Sequence, residues 1–446
     1  MGCAEADTRR VREAISMSGR RFRFIHASDL HLEAPVGGLG EVPPHLQDAL
    51  LDAPFHAAER LFETALSERV DFLLLAGDVA HGATCGPRAF DFLDRWFRQL
   101  QAESIPIYWS ESPHDQCDRW PTAVPLPENV QVLSSVHVEP ITIKRDKKPL
   151  AKILGSRGTP DGVIDIDAFD GDASLFTIAL VHGYPPQQMG AGSWGKTNVD
   201  YWALGGLHNP CELATRVGIA RYAGSPQARA TEEEGPHGVS IVDVEARHAV
   251  RQTIATDTVR WHHEFLELPA HLDQQGLLRM LRERSQQLLD AAAGRQLLVR
   301  WTVTDGDQLT DTRSDLLAAR LREGALASEL LIALRREFGQ NNPGLWSVSL
   351  DADPADILPS GWYEEDTVLG DLLRSVQQHQ VDASLNLQLD TFDLASELTK
   401  TLQRRMVISN EEERKRILSH VASLGVDLMR GDRVLSEDAA DPPPMI

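Results

Sequence analysis

Between Arg21 and about Arg260, short apolar runs alternate with longer amphipathic stretches. RFRFIHAS, DFLLLAGD, IPIYWS, VQVLSS, VEPITI, AKILGS, LFTIALVHG and VDYWALGG are nearly continuous in apolar residues. Such runs suit strands of a sheet buried on both faces. LQDALLDAPFHAAERLFETALSER and AFDFLDRWFRQLQAES carry helical apolar spacing and lie between the first three runs. Strand–helix–strand order followed by strands in close succession predicts an α/β sandwich with a mixed sheet and flanking helices. HGVSIVDVE and AVRQTIAT read as a closing hairpin.

Past Trp261 the pattern changes. HLDQQGLLRMLRERSQQLLDAA and RSDLLAARLREGALASELLIALRREF read as helices, and QLLVRWTVT and LWSVSLDA as strands, so 261–355 is expected to form a small α+β domain after the 21–260 domain. The region 356–431 is expected to be helical, with TVLGDLLRSVQQH and the stretch Ser409–Arg430 as its helices. Ser409-Asn410-Glu411-Glu412 fits a capping box at the start of the latter. Ile417, Val421, Leu424 and Leu428 fall on one helical face, a stripe that serves equally for internal packing or for docking a partner. Residues 1–20 read as a flexible extension and 432–446 as a disordered tail.

Bulk properties narrow the class. A chain of 446 residues exceeds one ordinary core, and 42% hydrophobic with 25% charged residues marks it as globular. It contains no run long and apolar enough to span a bilayer, and its start lacks the apolar segment of a secretory signal. Cys3, Cys85, Cys117 and Cys211 are scattered without CxxC spacing, which points to a reducing, cytoplasmic setting. The net charge of −22 repels polyanions, although an acidic surface often does no more than keep a protein soluble. A nucleic-acid substrate would need bound cations, a local basic patch or a basic partner.

The candidate chemistry lies where apolar runs give way to loops. Asp29 and His31 follow the first run, Asp78 the second, His114 and Asp115 the third, His182 a later one and His208 the next. His81 follows Asp78 by three residues. Any one of these is more simply a loop or capping residue. Their recurrence at successive strand ends, where open α/β sheets bind ligands, favours a shared site. Carboxylates and imidazoles without cysteine suit Mn²⁺, Fe²⁺ or Zn²⁺.

The series D-x-H, G-D, H-D, H-G and G-x-x-H, with the segments IHASDLHLEAP, DYWALGGLH and RYAGSPQAR, resembles the calcineurin-like metallophosphoesterases, and within them the DNA-repair exonuclease branch of SbcD/YhaO type. The resemblance covers about residues 22–260; it makes 261–355 a capping domain only by texture. It implies a bridged pair of divalent cations, with Asp29, His31, Asp78 and His208 on the first and Asp78 and His182 on the second. Such a pair activates water and neutralises phosphodiester charge. His114 is then placed near the scissile phosphate as a proton donor or charge stabiliser, with His81 as a further catalytic histidine. Asp115 is expected to orient His114 from behind. The resemblance also implies DNA as substrate, an SMC-like or AAA-type ATPase partner, no membrane, and dimerisation through the phosphoesterase domain.

Two positions depart from the family. Where it has G-N-H-D, this chain has Ser112-Pro113-His114-Asp115; where it has G-H-x-H, this chain has Gly205-Gly206-Leu207-His208. Pro113 and Gly206 carry no ligating side chain, and both belong to the second cation. Glu111, Asp115 and Asn209 are the nearby residues with an oxygen to offer instead. Pro113 also restricts Ser112 to extended geometry. The open alternatives are a slow or one-cation enzyme, a nuclease-like scaffold of an ATPase complex, and a phosphoesterase acting on small nucleotides.

Overall fold

The computed structural model describes residues 21–430, except 35, 41, 81–84, 117–119, 160, 172–173, 187–196, 216–217, 270–271, 306–316, 318–319, 322–323, 342, 353–359 and 382–410. The proposed extension 1–20, the tail 432–446, the capping box at Ser409 and Asn410, and His81 therefore lie outside the described residues.

The first sheet is built from β1 (Arg21–Ala27), β2 (Phe72–Ala76), β3 (Ile107–Ser110), β4 (Val130–Leu133), β11 (Gly238–Glu245) and β12 (His248–Ala255), in the order β12-β11-β1-β2-β3-β4. Strands β1 to β4 are parallel, and β11–β12 is the antiparallel hairpin expected from the sequence. Between the first three strands run α1 (Pro44–Ser67) and α2 (Pro87–Ala102). Each opens with proline in its first turn, where the missing N–H has no helical partner to lose.

The second sheet has the order β5-β6-β7-β8-β10-β9. Its members are β5 (Glu139–Arg145), β6 (Lys148–Ser156), β7 (Phe176–His182), β8 (Tyr201–Gly205), β9 (Cys211–Leu213) and β10 (Ile219–Tyr222). Strands β6, β7, β8 and β10 are parallel. The sequence pattern does not announce β9 and β10, which are short.

Strand alternation sorts the cores. In β2, Leu73 and Leu75 face α1 and α2 with Phe62, Phe92, Leu93 and Phe97, while Phe72, Leu74 and Ala76 face the second sheet with Phe24, Phe176, Ile178 and Tyr201. A strand buried on both sides must read as continuously apolar, and β2 does. Trp202, Leu204, Ala179 and Val181 form a further cluster with Ile164, Ile166 and Phe169. The result is an α/β sandwich of two mixed sheets flanked by helices.

A third sheet, in the order β13-β14-β15, uses Val259–Leu268, Gln296–Asp305 and Leu345–Ala352. Near it in sequence are α3 (Gln274–Ala291) and α4 (Ala325–Phe338). Helix α4 begins just after Gly324, which adopts a positive φ, so the long helical pattern from 313 is not one continuous element. Contacts divide the chain into two units. One holds residues 1–264, 281–300 and 331–348, and the other holds 265–280, 301–330 and 349–446. In the second unit, α5 (Ser360–Glu364), α6 (Val368–Val381) and α7 (Glu411–Arg430) share a core of Leu373, Val376, Leu418, Ala422 and Val426. No described helix is long and apolar enough to cross a membrane.

Candidate metal centre

The parallel strands of both sheets deliver their C-terminal ends to one place. Asp29 and His31 follow β1, Asp78 follows β2, Ser112 to Asp115 follow β3, His182 ends β7, and Gly206 to His208 follow β8. The first two loops remain stitched together beyond the sheet: Asp29 N–H donates to Gly77 O (2.9 Å) and His31 N–H to Asp78 O (2.9 Å). Asp29, His31 and Asp78 all hold positive φ, at 55°, 44° and 53°. Left-handed backbone at three non-glycine residues is a local cost that the surrounding bonds must maintain, and such strain gathers at functional sites. Gly77 is required for a different reason. A Cβ there would lie 2.6 Å from His182 Nδ1, so the two sheets meet with no room for a side chain.

The ligand atoms converge in two groups, Asp29–His31–His208 and Asp29–Asp78–His182, each within 4.8 Å. Asp29 is common to both. His31 Nε2 lies 3.5 Å from Asp78 Oδ2, and His182 Nε2 lies 3.8 Å from the same oxygen. His182 Nδ1 donates to Ala76 O (3.0 Å); since a carbonyl only accepts, Nε2 must present its lone pair toward Asp78. His208 is set the same way. Its Nδ1 meets Glu233 Oε1 at 2.6 Å, and its Nε2 faces His31 Nε2 at 3.2 Å. Lone pairs of imidazole and carboxylate pointed at one another call for a positive charge between them. The donor set therefore fits a divalent cation of borderline hardness, held by Asp29, His31, Asp78 and His208, with His182 adjoining.

Charge and burial work against each other here. Burial pushes the Asp29 carboxyl up. Burial also opposes the charge on Asp78, but His182, His31, Ser112 and His114 together hold it below the usual carboxylate range. His182 is pushed down by burial yet held above its ordinary value overall by Asp78 and Asp29. Burial raises Asp115 to about 6.

Beyond the strand-end residues, four side chains support the site in roles that the sequence pattern does not assign. Glu233 fixes His208, and its other oxygen accepts from Arg229 N–H (2.7 Å). The Arg229 guanidinium comes within 3.2 Å of His208 Nε2, with its own pKa lowered by burial. Tyr184 O–H donates to Gly206 O (2.6 Å). Ser112 hydrogen-bonds through its hydroxyl to Asp78 Oδ1 and to Asp115 Oδ1, the latter at 2.6 Å. Glu233 and Arg229 lie on a distant segment, so only the fold brings them to His208.

The predicted loop residues take distinct places. His114 is exposed, lies near enough to favour the Asp78 charge, and donates its N–H to Ser112 Oγ (3.1 Å). Asp115 is buried and accepts from Val79 N–H (2.8 Å), Trp109 Nε1–H (3.1 Å) and Ser112 N–H (2.5 Å), fastening the third loop to the second. Asn209 donates to Glu232 O and is exposed. Glu111 is buried. Neither Glu111, Asp115 nor Asn209 joins the converging groups among the described residues.

The second cation's side is incomplete. Pro113 is exposed and offers no donor atom. Gly206 has a φ of 112°, and a Cβ on it would lie 3.4 Å from His182 Nε2, so the gap left by its missing side chain opens beside that ligand. Of the residues the family resemblance places around this cation, Asp78 and His182 remain, with Asp29 as the third member of their converging group.

The comparisons with known proteins agree with this geometry. A model of the calcineurin-like phosphoesterase family matches residues 22–209. Residues 22–209 are a calcineurin-like metallophosphoesterase domain. Its family is one of metal-dependent phosphoester hydrolases. The chain is 26% identical over 379 residues to an uncharacterized metallophosphoesterase, YhaO, of Bacillus subtilis (strain 168), covering 80% of this chain and 90% of that protein.

Proposed function

We propose that the chain is a metal-dependent phosphodiesterase acting on DNA, of the repair-exonuclease type, in the cytoplasm and with an SMC-like or AAA-type ATPase partner. The observation that carries the hydrolytic part is the convergence of Asp29, His31, Asp78, His182 and His208 at the ends of parallel strands. A divalent cation bound there, Mn²⁺ being our choice, lowers the pKa of bound water and neutralises phosphate charge. Asp29, Asp78, His31 and His208 would hold it. Glu233 keeps the His208 Nε2 lone pair aimed at it through the 2.6 Å bond at Nδ1. His114 stands exposed beside Asp78, where an imidazole can give a proton to a leaving oxygen or stabilise its charge. The net charge of −22 makes the cation and a partner the natural sources of attraction for a nucleic acid.

The partner is proposed to dock on α7, where Ile417, Val421 and Leu424 stay exposed at 36%, 43% and 44% although the neighbouring stripe packs on α6. Hydrolysis of a DNA phosphodiester is expected in Mn²⁺, and to fall about 100-fold or more in Asp78→Ala and in His114→Ala. Equal background rates in wild type and both variants would discard the catalytic reading. The rival reading is a nuclease-like scaffold in the ATPase complex, which Pro113 and Gly206 favour; it predicts partner binding with no hydrolysis in any metal. A small-nucleotide phosphoesterase would instead prefer small substrates with little salt dependence.

A further inference from the structure

We propose that Arg229 binds the substrate phosphate in this centre: its guanidinium lies on the face of His208, at the open edge of the site, with a buried N–H that has no partner. This inference rests on the metal-dependent phosphodiesterase reading and adds to it the side chain that would hold a phosphate oxygen. Asp29, His31, Asp78 and His182 are all buried, whereas the His208 side chain is 31% exposed. A substrate can meet the ligand groups from the His208 side, and Arg229 stands there, half-buried.

Arg229 Nη2 lies 3.4 Å from His208 Nδ1 and 3.2 Å from His208 Nε2. One nitrogen at such distances from both ring nitrogens sits over the ring face, since in the ring plane it would collide with Cε1. Guanidinium groups stack on aromatic faces in this way. The Nε2 lone pair lies in the ring plane, so the guanidinium and a cation on Nε2 take different directions from one ring. The Arg229 backbone is fixed on both sides: its N–H donates to Glu233 Oε2 at 2.7 Å, and its carbonyl accepts from Gly37 N–H at 2.7 Å. The side chain itself is less well served. Among the described residues the guanidinium bonds to nothing but His208, and its Nε–H is buried without an acceptor. Burial lowers the Arg229 pKa, with Glu233, Asp29 and Asp78 opposing that through their charges. A cation with an unmet donor is a local cost unless an anion joins it. Bracing His208 alone would need no charge, because an apolar side chain of similar length would pack there without the desolvation cost. A phosphate oxygen supplies both the charge and the acceptor, and the guanidinium fork matches phosphate geometry.

The test reads phosphate binding and does not depend on turnover. Full-length wild type, Arg229→Met, Arg229→Gln and Arg229→Lys would be titrated by calorimetry, first with Mn²⁺ and then, once loaded, with inorganic phosphate. Mn²⁺ is expected to bind all four proteins with similar affinity, because the ligand side chains are untouched. Phosphate affinity is expected to fall about 10–100-fold in Arg229→Met and Arg229→Gln, the loss of a hydrogen bond to a charged group. Arg229→Lys should lose less, since it keeps the charge but not the fork. The two neutral variants differ in shape, so one that fails to fold leaves the other to decide. Unchanged phosphate affinity in a folded, Mn²⁺-loaded neutral variant overturns the proposal. So does weaker Mn²⁺ binding with phosphate binding to the loaded protein intact, which would make Arg229 a brace for His208. Tighter Mn²⁺ binding with no loss of phosphate would make the guanidinium a stand-in for the cation, and overturns it too. A Mn²⁺-loaded wild type that binds no phosphate overturns the proposal and leaves metal binding standing. A wild type that binds no Mn²⁺ discards it together with the metal-dependent reading.

Discussion

At the scale of single residues, the site is held by contacts that lie far apart in the sequence. Glu233 stands 25 positions beyond His208, and its carboxylate holds that ring at 2.6 Å. Glu233→Gln should keep the fold and weaken Mn²⁺ binding about 10–100-fold, read by titration calorimetry, since partners of metal-bound imidazoles commonly carry that much. A second residue gives a pH prediction. Buried His26 makes contacts of 3.1 Å to Tyr201 Oη and 3.2 Å to Leu204 O, and burial followed by the Arg221 charge pushes its pKa down to about 3. The unfolded chain binds a proton near pH 6.5 and the fold does not. Its neutral ring is therefore without penalty above that value, and stability is lost as pH falls from 6.5 toward 3. Relative to wild type, His26→Gln should lessen the acid loss by roughly 2 kcal/mol between pH 6.5 and 5, measured by urea unfolding.

At the scale of elements, the sequence pattern predicts strands and helices well because strongly apolar runs leave few alternatives. β2 reads as a strand and sorts its side chains to two cores. The pattern fails where a short strand is broken by a charged residue, as in β9 with Glu212 and β10 with Arg221, or where a turn residue acts through a hydroxyl, as Ser112 does. The end of the chain shows a subtler difference. The stripe Ile417–Val421–Leu424 is conspicuous in the sequence, yet α7 turns the adjacent stripe of Leu418, Ala422 and Val426 onto α6. A helix with two apolar stripes does not say from its sequence which one is inward. Leu418→Ala should therefore lower the stability of this helical unit by about 2–5 kcal/mol. Val421→Asp should change it by less than about 0.5 kcal/mol while abolishing capture of the ATPase partner we propose. Hydrogen exchange of α6 and α7 separates the two effects.

At the scale of the whole molecule, the five strand-end residues from Asp29 to His208 could be read before any coordinates, because each follows an apolar run. Their pairing into two groups sharing Asp29 could not, since it depends on how two sheets approach across Gly77. Burying Asp29 and Asp78 side by side leaves the empty fold with unfavourable charge that a cation offsets. Mn²⁺ at about 100 times its dissociation constant should add roughly 2.7 kcal/mol to unfolding, and chelation should remove it. The same increment should be missing in Asp78→Ala, with thermal melts in Mn²⁺ and in chelator as the comparison. A net charge of −22 gives a further reason for metal and partner to govern any encounter with a polyanion.

The backbone at Gly206 limits what a substitution there can do. Its φ of 112° suits glycine and strains other residues, and Tyr184 fastens its carbonyl at 2.6 Å. Placing an imidazole there by one substitution would meet backbone strain before it meets a metal. Gly206→His alone should therefore supply no ligand unless the loop is rebuilt around it.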